Sequence, residues 1–437
     1  MQNRDFQTIY VCSKEDELLD TVYLSNKKRQ RAVFTTRLIG KPYFKETPLQ
    51  DVLNLEEGGV ALFGMGRNME NIDVILRTLR VDVLEELRRK RISLVFDHSG
   101  EGMTFKSKRC ENWHIAINEF SLEDNPIVLW TQSRLFSNFY NDWANKNGIT
   151  KKIFVDNYDY HIKRLVTQSW RHPRIEFEKR LAKFEKKDQI SKDFVCLNFK
   201  PRPWRLMFLA HLMRDNLFDR GFVSFGGIHE EAFSLTGRSK LWSDGRLAEQ
   251  LMEIVTDEDI LPYLEQVIQM KPSFISENME DESDSFGKGR PYDQLHDIYD
   301  KSLFTVVTET EMTNYKNRVT EKPFKAIANA HPLIILGNFA SLEVLEEFGF
   351  QCYHPWIYEH YDEIEDPHER FIELYNTFRD LLERARGLLF EDQSFRRNII
   401  ENLENVVVNL PFFYRNTLDR KLAENLRAVM TAPVSDP

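Results

Sequence analysis

Residues 303–338 read LFTVVTETEMTNYKNRVTEKPFKAIANAHPLIILGN, and this stretch contains the repeating unit that decides the fold. The apolar run Leu303–Thr308 predicts a buried strand, and a second run, Leu333–Leu336, predicts another that ends at Gly337. Between them a polar loop leads into a helical pattern near Lys322–Asn329. A helix between two buried strands is the unit of a parallel sheet, so the stretch indicates an α/β fold.

The same alternation of strands and helices extends over the rest of the chain. The strand candidates of the first third are Thr8–Cys12, Ala32–Leu38, Val60–Phe63, Ile92–Phe96, Trp113–Ile117, Ile127–Trp130 and Ile153–Val155. An amphipathic helix is predicted over Asn71–Lys90. A second alternating section begins at Phe194–Leu197 and continues with a helix over Arg205–Asn216. We therefore predict two Rossmann-like α/β domains that face a cleft, followed by a helical C-terminal region.

The limits of the domains follow from the pattern and from local composition. We place an N-terminal domain at residues 1–175, a C-terminal domain at 190–390, and C-terminal helices at 391–437. Whether these helices cross back to brace the N-terminal domain stays open. The charge-rich helix Arg174–Lys187 suits either a connection between domains or a solvated surface. The acidic, then Gly-rich stretch Glu277–Arg290 has little to bury and predicts a surface loop.

Composition narrows the class of protein. A chain of 437 residues with a formal net charge of −10 is not suited to non-specific binding of duplex DNA, which disfavours nucleic acid as a partner without excluding it. The 4 cysteines form no CxxC pair, which argues against a zinc site or a disulfide framework. No apolar stretch approaches the roughly 20 residues of a membrane span, and we expect a cytoplasmic protein.

A candidate anion site lies where the polar loop enters the predicted helix. Thr320 is a suitable N-cap, and the free amides of a first helical turn favour a phosphate. Lys322 and Arg318 add cationic donors beside it. Glu321 accepts hydrogen bonds when ionised and suits two vicinal hydroxyls, as a ribose presents them. The alternative is a surface helix whose Glu and Lys only cap it.

A second basic cluster lies in Cys196–Arg205, which reads CLNFKPRPWR and follows a predicted strand. Lys200, Arg202 and Arg205 occupy a loop stiffened by two prolines. Fixed cations at the end of a strand suit a diphosphate and stabilise charge that grows on it without a metal. The alternative is a solvated basic turn.

Candidates for a general base follow the strand Ile92–Phe96. They are Asp97 and Glu101, with Glu101 slightly ahead and His98 third, in a loop where Gly100 and Gly102 permit a sharp turn. Ligands of open α/β sheets gather at the carboxyl ends of strands. A polar turn closed by an Asx bond at Asp97 is the alternative. We find no Asp-x-Asp arrangement typical of manganese-dependent sites and predict no metal ligands.

The segment around Thr320-Glu321-Lys322 resembles the donor-site motif of the α1,3-fucosyltransferases, in which Glu-Lys opens a helix and a following strand ends at Gly. Here Ala326–Ala330 and Pro332–Gly337 complete that pattern, while Pro323 replaces an apolar residue. The segment resembles still more closely glycosyltransferase-like proteins of phages and large viruses. That similarity covers about residues 300–370, with a weaker match at 194–226, and includes Ser341-Leu342, Gly349-Phe350 and Tyr361-Asp362-Glu363.

The resemblance implies a glycosyltransferase of the GT-B type that moves a sugar from a nucleotide-sugar donor to a hydroxyl acceptor such as a glycan. The C-terminal domain would hold the donor, with Glu321 on the ribose and Lys322 on the diphosphate, and the N-terminal domain would hold the acceptor. We expect inverting, metal-independent transfer with the nucleotide-diphosphate sugar as co-substrate and no cofactor. Retention stays open, as do a non-catalytic nucleotide- or glycan-binding protein and a transferase acting on a modified nucleic-acid base.

Overall fold

The computed structural model describes residues 8–19, 43–56, 58–64, 72–99, 102–170, 172–198, 200–228, 246–273, 275 and 296–431. The chain divides into two compact units, Met1–Thr167 with Phe412–Pro437, and Gln168–Pro411. The division places residues 391–411 with the second unit and the last helix with the first. The predicted strand Ala32–Leu38, the predicted loop Glu277–Arg290 and the candidate base Glu101 lie outside the described residues.

The first unit contains a parallel sheet with the order β2-β1-β3-β4-β5-β6. Its strands are β1 (Ile9–Cys12), β2 (Phe44–Glu46), β3 (Gly59–Gly64), β4 (Ile92–His98), β5 (Ile127–Thr131) and β6 (Phe154–Asn157). Its helices are α1 (Glu15–Leu18), α2 (Leu49–Leu53), α3 (Ile72–Leu76), α4 (Val81–Arg88), α5 (Ser107–Glu119), α6 (Arg134–Lys146), α7 (Tyr160–Ser169) and the last helix of the chain, α18 (Asp419–Thr431). The α/β prediction is confirmed for this unit.

Side chains of the first sheet alternate between two apolar clusters, as the period of a strand requires. Phe96 and Leu129 pack with residues of α4, α5 and α6 in one cluster. Val95 and Trp130 belong to the other cluster, which also contains Leu422 of α18. Both faces of the sheet are therefore covered, as in doubly wound α/β proteins, and the C-terminal helix supplies part of one cover.

Two sequence predictions in the first unit are wrong in detail. Trp113–Ile117 is not a strand but part of α5, in which Trp113 is buried while Ile115 is exposed. That exposed isoleucine extends an apolar run, and a run of this length does not separate strand from helix. The helix predicted over Asn71–Lys90 is divided into α3 and α4, and between them Leu79 forms a β-bridge with Leu19.

The second unit contains a parallel sheet with the order β10-β9-β7-β8. Its strands are β7 (Phe194–Asn198), β8 (Gly221–Phe225), β9 (Phe304–Thr308) and β10 (Leu333–Leu336). Its helices are α8 (Pro173–Glu185), α9 (Pro203–Arg214), α10 (Arg246–Ile254), α11 (Leu261–Gln269), α12 (His296–Asp300), α13 (Lys322–Ala328), α14 (Ser341–Glu347), α15 (Pro367–Glu391) and α16 (Gln393–Glu404), and α17 (Leu410–Phe413) spans the limit between the units. The predicted second parallel sheet and helical C-terminal region are confirmed.

Helix α8 belongs to the second unit, not to a free connection. Its Arg180 is buried and donates a hydrogen bond of 2.6 Å from Nη1 to the carbonyl of Ala328 at the end of α13. Phe184 of the same helix is also buried. The chain passes from the first unit to the second before α8, at Thr167 and Gln168.

Candidate functional site

The carboxyl edge of the second sheet contains a topological switch point between β7 and β9. The chain proceeds from β7 to β8 on one side and to β9 on the other, so the connections leave in opposite directions. Ligands of open α/β sheets bind in the crevice that such a reversal creates. The last residues of the two strands are joined there, because Thr308 donates from Oγ1 to Oδ1 of Asn198 over 2.7 Å.

The loop after β7 contains the basic cluster predicted from the sequence, with Lys200, Arg202 and Arg205. Arg205 is 4 % exposed and donates to the carbonyl of Thr308 over 2.7 Å and to that of Lys200 over 3.1 Å. Its guanidinium therefore fixes this loop against the end of β9. Arg202 lies beside the same edge, since its charge contributes to lowering the pKa of Glu311 in the loop after β9.

The loop after β9 is anchored by Glu309, a buried carboxylate that follows the strand directly. It accepts hydrogen bonds from the backbone amide of Thr320 (2.8 Å) and from its hydroxyl (2.7 and 2.9 Å). The ammonium of Lys322 lies 3.8 Å from Oε2 of Glu309, 3.0 Å from the Thr320 hydroxyl and 3.4 Å from Oε1 of Glu321. Glu309 thus holds Thr320 and Lys322, two of the residues in the candidate anion site predicted from the sequence.

The prediction that Thr320 is the N-cap is wrong. Glu321 occupies the N-cap position of α13 and makes no side-chain capping bond. Thr320 precedes it and donates its hydroxyl to Glu309. From that position the Thr320 hydroxyl accepts only a long hydrogen bond of 3.5 Å from the amide of Lys322 in the first turn of α13.

Glu311, two residues further along the same loop, carries a small ion-pair cluster. Its carboxylate lies 2.8 and 2.9 Å from the ammonium of Lys316 and 3.5 Å from the guanidinium of Arg318. Burial raises the pKa of Glu311, but the positive charges of Arg318, Lys316 and Arg202 outweigh burial and hold that pKa below its usual value. The carboxylate is therefore ionised at neutral pH.

The outer part of this loop is fixed by residues from the end of β10 and from α15. The side-chain oxygen of Asn338 accepts from the amide and the hydroxyl of Thr313 (3.1 and 3.2 Å), and its amide group donates to the carbonyl of Arg318 over 3.2 Å. Arg370 of α15 donates to the carbonyl of Thr313 over 3.3 Å. The backbone that carries Lys316 and Arg318 is thus preorganised.

The two predicted clusters meet at one edge of one sheet. The cationic side chains of these loops are Lys200, Arg202, Arg205, Lys316, Arg318 and Lys322, and the acidic ones are Glu309, Glu311 and Glu321. Six cations against three acids leave an excess of three positive charges in a chain whose formal net charge is −10. A preorganised cationic edge of this kind suits a di- or trianionic ligand.

Asp97 lies at the carboxyl edge of the first sheet, near the end of β4. It is 6 % exposed, and its Oδ1 accepts hydrogen bonds from the amide of Ser99 over 3.0 Å and from the Ser99 hydroxyl over 2.5 Å. Burial raises the pKa of Asp97 to about 6, against the lowering effect of the Ser99 bonds. A carboxylate with this pKa ionises near neutral pH and still attracts a proton.

A buried polar group lies next to Asp97. Tyr158 donates its hydroxyl to Oδ1 of Asp419 over 2.7 Å, and Lys163 donates to Oδ2 of the same carboxylate over 2.7 Å. Burial first, then the charge of Asp419 and, among smaller causes, that of Asp97 raise the pKa of Tyr158. This group connects α7 with α18 below the edge that carries Asp97.

Sequence reasoning missed Glu309, Glu311 and Asp419. The first two had a usable signal, because they follow the buried strand Leu303–Thr308 directly and so fall at the functional edge of a parallel sheet. Asp419 had none, since its partners are more than 250 residues away along the chain.

In the described ranges of the chain, no group of three or more His, Cys, Asp and Glu side chains is arranged as a set of metal ligands. Within the same ranges, no helix combines the length and the apolar character needed to cross a membrane.

Comparison of the backbone with solved structures finds trehalose-6-phosphate synthases. The E. coli protein bound with UDP-2-fluoro glucose aligns with a TM-score of 0.41 and 11 % identity over 85 % of this chain and 74 % of its own. The Burkholderia xenovorans UDP-forming enzyme aligns with a TM-score of 0.43 and 10 % identity over 88 % of this chain and 77 % of its own. The Burkholderia multivorans enzyme aligns with a TM-score of 0.39 and 12 % identity over 88 % of this chain and 74 % of its own. No protein-family model and no curated protein matches the sequence.

Proposed function

We propose that the chain is a glycosyltransferase that takes a sugar from a nucleotide-sugar donor and transfers it to a hydroxyl acceptor, a glycan or a small molecule. The observation that carries this proposal is the convergence of the two cationic loops at the switch point of the second sheet. Arg205 joins the loops through the carbonyl of Thr308. Cations from both loops lower the pKa of Glu311. A diphosphate is the ligand class whose charge and size suit this edge.

The cations have a chemical role in such a transfer. When the bond between the sugar and the diphosphate breaks, negative charge grows on the leaving phosphate. Positively charged donors that are already fixed stabilise that charge with little reorganisation. Arg202 and Lys322 are the residues we assign to this role, because both are only partly buried. The transfer we propose is metal-independent.

The ribose and the diphosphate of the donor are assigned to adjacent residues. Glu321 and Lys322 retain 14 % and 15 % side-chain exposure and lie at the start of α13. Glu321 is proposed to accept hydrogen bonds from the two ribose hydroxyls, since an ionised carboxylate only accepts. Lys322 is held by Thr320 and Glu309 and is proposed to bind the diphosphate.

We propose Asp97 as the general base that deprotonates the acceptor hydroxyl in an inverting transfer. A single carboxylate suffices for that mechanism. The support is its pKa of about 6 and the hydrogen bonds from Ser99, which hold the carboxylate through Oδ1. Glu101, the other candidate, follows in the same stretch of chain.

The test is a thermal-shift titration with GDP, UDP, ADP, CMP and dTDP, with and without EDTA. One nucleotide is expected to stabilise the protein by about 2.7 kcal/mol at 100 times its dissociation constant. EDTA should leave the shift unchanged, and the corresponding nucleotide sugar should be hydrolysed slowly.

Lys322→Ala is expected to abolish the shift, because it removes the ammonium beside the diphosphate. Lys301→Ala is the matched control, since Lys301 is exposed and precedes β9, at the other end of the strand. The absence of a shift with all five nucleotides would overturn the donor site. A shift that EDTA removes would contradict metal independence, and binding without any hydrolysis of the nucleotide sugar would indicate a binding protein.

A further inference from the structure

Glu311 places a carboxylate among the cations of the candidate site. Its two carboxylate oxygens lie 2.8 and 2.9 Å from the ammonium of Lys316, and Oε2 lies 3.5 Å from Arg318. Arg202, from the loop after β7, is a third cation that acts on the same carboxylate. An ionised oxygen pair among three cations has the kind of surroundings that a phosphate has in a phosphate site.

The acid and its cations differ in how firmly they are held. The side chain of Glu311 is 29 % exposed, while those of Lys316 and Arg318 are 11 % and 8 % exposed. Asn338 and Arg370 fix the loop backbone at Thr313 and Arg318. Rotation of the Glu311 side chain toward solvent therefore leaves the cations in place and ready for another anion.

We propose that Glu311 stands in for a phosphate group in the ligand-free protein and is displaced by one phosphate of the incoming donor. This inference rests on the proposed function and describes how binding at the same site is regulated. The carboxylate balances part of the cationic charge while the site is empty, so weakly charged anions gain little by entering. A diphosphate carries more charge than the carboxylate it replaces and makes several contacts at once, which makes the exchange favourable.

The experiment measures the dissociation constant of inorganic pyrophosphate, and of the stabilising nucleoside diphosphate, by isothermal titration calorimetry. Glu311→Gln keeps the size of the side chain and removes its charge. Its affinity for pyrophosphate is expected to rise about tenfold, because a ligand no longer competes with a charge a few ångströms away. Glu311→Ala removes the same charge and is expected to act in the same direction.

Glu253→Gln is the matched control. Glu253 lies on α10 of the same unit and is exposed, so the substitution removes one charge without touching the loops of the site. Its affinity for pyrophosphate should stay within about twofold of the unmodified protein, because exposed charges are screened. Thermal melting without ligand verifies that each variant is folded, and either folded Glu311 variant carries the test.

The outcomes separate this inference from the proposed function. If the unmodified protein binds neither pyrophosphate nor any nucleotide, the donor site itself is overturned. If it binds them and both folded Glu311 variants bind pyrophosphate equally or more weakly, the donor site stands and the displacement by phosphate is wrong. In that case Glu311 would serve to orient Lys316 and Arg318.

Discussion

The carboxyl edges of the two sheets share a topology and differ in chemistry. In the first sheet β2 and β3 pair with opposite sides of β1, and in the second sheet β8 and β9 pair with opposite sides of β7. The edge of the second sheet presents Arg205, Glu309 and Glu311, with cations from two loops around them. The edge of the first presents Asp97 above the buried group of Asp419. The same arrangement of strands thus carries anchored cations and acids at one edge and a buried carboxylate at the other, so the side chains and not the backbone set the chemistry.

The largest effect is expected from Asp419→Asn, which tests whether the stability of the carboxyl edge of the first sheet depends on the buried ion pair. Lys163 and Asp419 are almost fully buried, and their charged atoms lie 2.7 Å apart. Removing one partner leaves an uncompensated charge, which costs about 3–5 kcal/mol of unfolding free energy. Urea unfolding followed by circular dichroism measures it.

Arg420→Ala is the control for that prediction, since Arg420 is the next residue and its side chain is 54 % exposed. Its exposed pair with Glu424 should contribute less than about 1 kcal/mol. If Asp419→Asn lowers the unfolding free energy by less than about 1 kcal/mol, the carboxyl edge of the first sheet does not depend on the ion pair. The ion pair would then no longer distinguish it from the carboxyl edge of the second sheet.

The next largest effect is expected from Asp97→Asn, which tests the assignment of proton transfer to the first edge. Loss of a general base typically lowers the rate by about 10²–10⁴-fold. Because the deprotonated form is the active one and its pKa is about 6, the transfer rate should rise as the pH increases through that value and then level off. The asparagine variant should lack this step. The pH profile of kcat measures both.

Donor affinity provides the second readout for Asp97→Asn. It should be unchanged, because the donor is assigned to the second unit. Asp124→Asn, with a side chain 57 % exposed, removes the same charge as a control. Full activity in Asp97→Asn would favour the polar turn with Ser99 as the role of Asp97 and would move the search for a base to Glu101.

The smallest effect is expected from Glu309→Gln, which tests whether the second edge needs a negative charge to hold its cations. Glutamine keeps one acceptor oxygen for Thr320 and loses the attraction for Lys322. Nucleoside diphosphate affinity should fall about five- to tenfold, which corresponds to about 1 kcal/mol. Calorimetric titration measures the change. Glu343→Gln, an exposed acid on α14, is the control, and equal affinity in both variants would remove Glu309 from the site.

Sequence predicted the repeating local features of this chain well. The strand Leu333–Leu336 was predicted with the limits that the structure has, because its apolar run is bounded by Pro332 and Gly337. The strand predicted over Trp113–Ile117 failed because an exposed apolar side chain, Ile115, cannot be recognised as exposed without its neighbours. A local sequence pattern predicts whether an element is a strand or a helix only when the apolar residues of the pattern are the buried ones.

In the candidate site, the cations and Glu321 were predicted from the sequence, whereas Glu309 and Glu311 were missed. Arg205 and Lys322 stand in motifs with a mechanism, and the structure places both at the same edge. Glu309 and Glu311 act through Thr320, Lys316 and Arg318, which they meet only when the loop after β9 is folded. Ion pairs across a loop of this length depend on its path, which composition does not encode.

The discontinuity of the first unit has a consequence for how the chain is made. Asp419 is separated from Lys163 by 256 residues, and Leu422 and Leu426 complete the apolar cluster that contains Val95. Chains leave the ribosome from the N-terminus, and domains tend to fold as units during synthesis. The second unit is contiguous and can finish folding while the first still lacks a helix. The unit begun first is therefore completed only after the whole of the second unit has been translated.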